Sequence, residues 1–381
     1  MHVMHVIDSL HGGGAETSLL EIVPGLAARG VTTSIVTLLP DDGVLEDRVG
    51  ALGITRTRVS RRDPLRRVVE LHNAVCAERP DLVHTTLLFS NLLGRIAART
   101  ARVPVVTTLA NHDYGPEHRA NSRYGALGVR TVQAADLITA PLTTSFHAIS
   151  ADVADVMSRR LRIPRSRIRV IYRGRDPGRL GVPSLHRRRR MRAALAIDAE
   201  APLILSVGRL DRQKGVDTTV EAFRHLRDSM PEAVLLIAGR PGNASAVVQR
   251  NAQGLPAIRF LGHRSDIPDL MCAADVLSFP SRWEGLGGTL IEAMALRLPI
   301  VASGITPLVE VIGEVGWPLV RPDDGRALAE GLRAILQAGA ANEERKDAGQ
   351  KRFRSLFTVE AAAEAMAGFY GDVLRDLPAA S

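Results

Sequence analysis

Short runs rich in β-branched residues alternate with segments of helical period through most of this chain, in two successive sets. The first set places strands at residues 3–7, 31–38, 82–85, 103–109 and 168–171, with helices at 15–29, 65–79, 91–99 and 151–161 between them. The second begins at "APLILSVGRL" and places strands at 203–207, 234–238, 258–261, 276–279 and 300–302, again alternating with helical patterns. Strands joined through helices pair in parallel, and a parallel sheet needs both faces covered. The alternation therefore specifies two doubly wound α/β domains in tandem. At 381 residues the chain is long for one domain and suits two, and 45% hydrophobic residues supply two ordinary cores. Between the sets, "YRGRDPGRLGVPSLHRRRR" at 172–190 is rich in Gly, Pro and Arg, has no period and reads as the inter-domain connection. The expected organisation is a first domain at 1–175, a linker and hinge at 176–200, a second domain at 201–358, and a C-terminal helix at 359–381 that can pack back on the first domain. Pro24 is expected to kink the first helix. Ligands of such sheets bind beyond the carboxyl ends of the strands, and two domains facing each other make a central cleft.

The net charge of +8 raises the question of a nucleic-acid partner. Aromatic content of 4% argues against base-stacking surfaces, and no nucleic acid is expected. Only Lys214, Lys346 and Lys351 are lysines, so 46 of the 49 basic residues are arginine, a skew that resembles GC-rich codon usage. The arginines cluster in "RRDPLRR" (61–67), "RRLRIPRSRIR" (159–169) and "HRRRR" (186–190). These runs read as solvated helix faces and linkers, or as an attraction to an anionic acceptor or membrane surface. Cys76 and Cys272 form no redox or metal spacing and fit a reducing compartment. The start, "MHVMHVIDSL", lacks the features of a signal peptide, and no apolar run has the length of a membrane span. A cytoplasmic protein is expected, with membrane association left open.

The stretch "SRWEGLGGTLIEAMA" at 281–295 carries the sharpest chemistry. "ADVLSFP" before it reads as a strand, "TLIEAMA" begins a helix, and "SRWEGLGG" is the turn. The first amides of that helix, at Gly287, Gly288 and Thr289, have no intrahelical acceptor and point their positive dipole end beyond the strand. Two glycines let a phosphate or sugar approach the backbone. Glu284 in the turn and Glu292 one turn into the helix add carboxylates suited to sugar hydroxyls. The stretch fits a molecule with phosphate in the middle and hydroxyls at both ends, as in a nucleotide sugar.

"PSRWEGLGGTLIEAMA" resembles the E-x7-E signature of the retaining glycosyltransferases of family 4, which have the two-Rossmann-domain (GT-B) fold. "GGGAE" at 12–16, "SVGRLDRQKGVD" at 206–217, "RFLGHRSDIPDLMCAADV" at 259–276 and "PIVAS" at 299–303 follow the family's order. The resemblance implies that Glu284 holds donor-sugar hydroxyls, Glu292 the ribose, and Arg209 and Lys214 the diphosphate. Arg264, in the third of those segments, falls among the donor-binding positions. Gly13 and Gly14 belong to a loop that closes over the donor, and His112 in "TTLANHDYG" falls where the family has a histidine at the acceptor–donor junction. His84 is the second candidate for that place. The first domain would bind the acceptor. His112, Glu284, Arg209 and Lys214 are thus the expected catalytic group, in a same-face reaction whose departing phosphate takes the acceptor proton.

Independently of the family, Lys214 stands out as a lysine in a chain that otherwise uses arginine, and a compact ammonium differs from a guanidinium fork at a phosphate. "HGGGAET" read alone resembles a dinucleotide loop but lacks the third glycine of that fingerprint. "VIYRGRDP" departs from the family's Asn-Gly-x-Asp, with Arg173 in place of asparagine, and Arg297 stands where glycine is common. No strand-end aspartate pair or His/Cys cluster has ligand spacing, so no metal and no cofactor is expected beyond a UDP- or GDP-linked donor. The expected function is metal-independent, hexosyl-type transfer to an acceptor hydroxyl on a lipid, a polysaccharide or a small metabolite. The alternatives are a non-catalytic nucleotide-sugar binding protein and a glycoside hydrolase, which would use two carboxylates at the anomeric carbon and no phosphate grip.

Overall fold

The computed structural model describes residues 1–11, 13–41, 43–59, 63–116, 119 and 125–376. Gly12 and the pair at 61–62 therefore lie outside the described residues. The chain divides into two units, Met1–Gly174 with Thr358–Ser381, and Arg175–Phe357.

The first unit contains a seven-stranded parallel sheet: β1 (His2–Ile7), β2 (Thr32–Thr37), β3 (Thr55–Arg58), β4 (Leu82–Thr86), β5 (Val105–Leu109), β6 (Ser145–Ala148) and β7 (Ile168–Val170), in the order β3-β2-β1-β4-β5-β6-β7. The direction of winding reverses between β1 and β4, which pair in register from Val3↔Leu82 to Ile7↔Thr86. Strands β3 and β6 do not follow from the sequence pattern. "TRTR" and "SFHA" lack the apolar runs of their neighbours. The first helix, Gly14–Ala27, runs through Pro24 without ending there. The terminal helix Val359–Arg375 belongs to this unit, where Met366, Phe369, Tyr370 and Val373 share a core with Val3, Leu26, Leu82, Val106 and Ile171.

The second unit contains β8 (Leu203–Val207), β9 (Val234–Ala238), β10 (Ile258–Gly262), β11 (Val276–Phe279), β12 (Ile300–Ser303) and β13 (Leu319–Val320), all parallel, in the order β10-β9-β8-β11-β12-β13. The stretch 176–200, expected as a linker and hinge, falls within this unit and contains the helices Pro177–Leu180 and Leu185–Ala194. Ser184 caps the helix Leu185–Ala194 by accepting from the Arg187 amide. Arg187 pairs with Asp269 at 2.6 Å, and Arg188 and Arg192 pair with Asp275 at 2.7 and 2.8 Å. Arg192 is buried and also donates to the carbonyls of Ala273, Asp198, Ala199 and Ala201. Aperiodic, arginine-rich sequence concealed a helix whose charges are met by acids distant in sequence. In the 159–169 cluster, Arg165 pairs with Asp155 and Arg169 with Asp372. Among the described residues no helix is long and apolar enough to cross a membrane.

Three imidazoles sit side by side under the terminal helix. His5 of β1 lies 5.0 Å, centroid to centroid, from His84 of β4, and His84 lies 6.0 Å from His147 of β6. His84 is hydrogen-bonded to Tyr370 Oη at 2.6 Å and to Thr108 Oγ1 at 2.7 Å; His147 Nε2 donates to the Ile171 carbonyl at 2.9 Å. His84, the second candidate for the reaction junction, is thus a core residue tied to the terminal helix. Burial pushes the His5 pKa down to about 3 and the His147 pKa to about 4, and holds His84 well below the usual imidazole range. The unfolded chain takes up protons at these positions below about pH 6.5, whereas the folded chain refuses them until far lower pH. Their stabilising contribution is complete above about pH 6.5 and is lost as pH falls toward the folded values. Hydrogen exchange of β1, β4 and β6, corrected for intrinsic rates, should show protection at pH 5.0 reduced relative to pH 7.5. Each imidazole contributes about 2 kcal/mol to that loss. Equal protection at the two pH values would contradict the assignment.

Candidate functional site

In the second unit the winding reverses between β8 and β11, and an open parallel sheet forms its crevice beyond the carboxyl ends of such a pair. β8 ends at Val207 and runs into "GRLDRQKG"; β11 ends at Phe279 and runs into "PSRWEGLGG". The two loops are stitched together. The Arg282 amide donates to the Gln213 carbonyl at 2.8 Å, and Gln213 Nε2 donates to the Trp283 carbonyl at 2.9 Å. The Arg282 guanidinium forks onto Asp217 at 3.0 and 2.7 Å, and also reaches Asp323. Gly215 links the short turn Arg212–Lys214 to the helix Val216–Arg227 at φ +62°. A Cβ there would lie 2.1 Å from the Pro280 carbonyl oxygen, so glycine is required for the loops to meet.

This stitching brings Lys214 and Glu284 together. Lys214 Nζ donates to Glu284 Oε1 at 2.5 Å, and Ser281 Oγ donates to the same oxygen at 2.9 Å. The ammonium also lies 5.4 Å from the centroid of the Phe279 ring. Glu284 and Ser281 are buried. Arg209 is more open: its side chain is 65% exposed and pairs with Asp211 at 3.1 Å. An exposed guanidinium and a half-buried ammonium thus both follow the end of β8.

Four residues beyond Glu284, the helix Gly288–Ala295 begins, with Gly287 as its cap at φ +89°. Its first amides, including Gly288 and Thr289, lack intrahelical acceptors. Glu292 lies one turn in and accepts from Arg175 Nε at 2.7 Å. The Arg175 guanidinium lies against Gly288, where a Cβ would be 2.2 Å from Nη2. The space over Gly288 expected for a ligand phosphate therefore holds an arginine. Sequence reading missed Arg175, although "YRGRDP" had already marked the segment as a departure. Arg264 forks onto Asp266, with Nε at 2.8 Å from Oδ1. The ion pair raises the Arg264 pKa and lowers that of Asp266.

In the first unit, His112 follows β5. Its Nε2 lies 2.6 Å from Asp152 Oδ2, in the first turn of the helix Ala151–Arg160. The backbone around it is fixed: Arg160 Nη1 donates to the carbonyls of His112 and Asp113, both at 2.7 Å. Tyr114 Oη donates at 2.8 Å to Asp136, which pairs with the fully buried Arg95. Asp152 and Arg160 gave no signal beyond helix composition. Gly13 and Gly14 stand at the start of the helix Gly14–Ala27. The open side of Gly13 is filled by the buried Glu16 carboxylate, 2.5 Å from where a Cβ would be, and the nearest side-chain atom to a Gly14 Cβ would be Arg173 Nη1 at 3.8 Å. A carboxylate over Gly13 opposes the expected approach of an anionic phosphate at that glycine. Among the described residues no group of three or more His, Cys, Asp or Glu is arranged to hold a metal ion.

Comparison with known proteins gives concordant matches for the two units. Residues 12–179 match the family model described as Glycosyltransferase Family 4, and residues 201–338 match that described as Glycosyl transferases group 1. The glycogen synthase of Mycobacterium tuberculosis is 30% identical over 298 residues, 77% of this chain and 69% of that protein. The D-inositol 3-phosphate glycosyltransferase of Xylanimonas cellulosilytica is 30% identical over 318 residues, 78% of this chain and 73% of that protein. Among solved structures, Anabaena HepE in complex with UDP gives a TM-score of 0.83 at 19% identity, covering 98% of this chain and 100% of that one. WaaG, a glycosyltransferase involved in lipopolysaccharide biosynthesis, gives 0.75 at 19% identity, covering 97% and 99%.

The contact between the two loops rests on Gly215. Gly215→Ala should destabilise the second unit by about 1–3 kcal/mol, since a non-glycine residue must hold a positive φ and push against a backbone carbonyl. Urea unfolding measures this, and an unchanged midpoint would show that the loops do not need this close approach.

Proposed function

The chain belongs to glycosyltransferase family 4, with the paired α/β units of the GT-B fold, and from that premise we propose that it is a retaining enzyme that moves a hexosyl group from a nucleoside-diphosphate sugar to an acceptor hydroxyl. The observation that carries this reading is the Lys214–Glu284 pair at the β8/β11 switch point, beside the helix that begins at Gly288. A fixed ammonium, the open Arg209 guanidinium and helix amides supply positive charge for a diphosphate leaving group. Glu284 and Glu292 supply acceptors for hydroxyls on either side of it. UDP in the HepE structure supports a nucleotide-sugar donor, which we propose is UDP- or GDP-linked.

Charge on the departing diphosphate is met by Lys214 and Arg209 without a metal ion. The phosphate oxygen that leaves the anomeric carbon takes the proton of the incoming hydroxyl on the same face. Glu284 then orients the sugar and is no general base, which suits a carboxylate whose Oε1 accepts from both Lys214 and Ser281. His112, oriented by Asp152, is assigned to the reacting end of the donor as a positioner. Arg264, engaged by Asp266, is kept as a donor-side residue that must exchange that partner for the ligand. The acceptor is a lipid, a polysaccharide or a small metabolite, and attraction to an anionic membrane surface remains part of the proposal for lipid acceptors.

Incubation with labelled nucleotide sugars and an acceptor panel tests the reaction. Transfer with retained anomeric configuration, undiminished by EDTA, is expected. Hydrolysis of simple glycosides, or dependence on one divalent metal, would overturn it. Lys214→Ala should weaken nucleoside-diphosphate binding by about 10- to 150-fold, the worth of a charge-assisted hydrogen bond. Nucleoside affinity should change by no more than a few-fold. Calorimetry across the nucleoside, monophosphate and diphosphate series decides this, and equal losses along the series would remove Lys214 from the diphosphate.

A further inference from the structure

Arg175 stands at a position where the reading from sequence placed nothing, and its surroundings are unusual for an arginine. Its backbone is fixed on both sides: its amide donates to the Phe357 carbonyl at 2.8 Å, and the following Asp176 caps the helix Pro177–Leu180. The guanidinium is held against Gly288, the first residue of the helix Gly288–Ala295, which has no side chain to exclude it. The positive end of a helix dipole disfavours a cation there. Glu292, one turn on, offsets this by accepting from Nε at 2.7 Å. The two side chains are 16% and 24% exposed, so the pair is shielded yet still open to a ligand.

The contact constrains Glu292. A glutamate on a helix surface samples several rotamers, and a ligand that uses it must immobilise it. A carboxylate has two oxygens with about four acceptor sites, so one Nε–H bond leaves capacity for hydroxyl donors. Resting on the nucleotide-sugar reading of this site, we infer that Arg175 is a positioning residue. By holding Oε1 of Glu292 it sets the carboxylate in the orientation that receives the ribose hydroxyls, so the ordering cost is met on folding rather than on binding. Immobilising one rotamer-rich side chain costs enough to change affinity by about 3- to 10-fold. A direct phosphate contact by Arg175 is the competing account. It differs in one respect: its effect would not depend on Glu292 or on the ribose hydroxyls.

A double-mutant cycle separates the two. Calorimetric affinities for UDP, GDP and their 2′,3′-dideoxy analogues are measured on the full chain, on Arg175→Ala, Glu292→Ala and the double variant, and on Arg175→Lys. Arg175→Ala should lose about 3- to 10-fold for the ribonucleotide that binds. It should lose less than about 2-fold for the dideoxy analogue and in the Glu292→Ala background. Arg175→Lys, which keeps a cation but not the guanidinium fork, should recover part of the loss. An Arg175→Ala loss that persists with the dideoxy analogue or without Glu292 would overturn this inference and leave the nucleotide reading standing. A wild-type chain that binds no nucleoside diphosphate would overturn both. If Arg175→Ala fails to fold, Arg175→Lys with and without Glu292 carries the same comparison, and an additive effect there would overturn the inference.

Discussion

One ion pair organises the candidate site. Glu284 is buried, and a buried carboxylate is costly unless its charge and lone pairs are met. Lys214 and Ser281 meet them at the same oxygen. That requirement fixes the loop after β8 to the loop after β11, and Arg282, Gln213 and Gly215 are the means by which the two backbones stay in contact. The same anchoring sets the start of the helix at Gly288, and with it the direction in which the first amides point. In a chain that uses arginine almost everywhere else, lysine places a compact point charge here, against the Glu284 carboxylate and near the Phe279 ring.

The arginines tell a complementary story. A net charge of +8 and several arginine runs invite a polyanionic partner. At many of these positions the charge is met inside the chain: Arg187 and Arg190 by Asp269, Arg188 and Arg192 by Asp275, Arg165 by Asp155, Arg169 by Asp372. Arginine's five donors let it serve carbonyls and carboxylates together, as Arg192 does from a buried position. Arg160 does similar service at the carbonyls of His112 and Asp113.

Local pattern carried the fold. The strands at 203–207, 234–238 and 276–279 have the same bounds in sequence and structure, since continuous apolar runs are what buried parallel strands require. It failed where a segment gains its shape from partners elsewhere. "SFHA" becomes β6 because His147 finds Thr108 and the Ile171 carbonyl, and "LV" at 319–320 is a strand only by pairing with β12. The helix Leu185–Ala194 has little apolar face and is held by ion pairs, so its period carried no signal. In the site, residue types and loops were legible, because glycines, carboxylates and a lone lysine at strand ends carry chemistry in their spacing. Their partners were not. Arg175 meets Glu292 across 117 residues, and nothing local to either announces the other. Arg264 shows the converse limit: its segment was legible, but the acid two residues on claims its guanidinium.

The loops after β8 and β11, with the start of the Gly288 helix, are proposed to form the nucleoside-diphosphate site. Hydrogen–deuterium exchange of the whole chain, with and without saturating UDP or GDP, tests this most directly. Backbone amides that donate hydrogen bonds to a bound ligand exchange more slowly, so protection should rise at residues 209–215 and 284–292 and change little in β10 and β13. Saturable binding with protection elsewhere, and none at these two segments, would contradict the account.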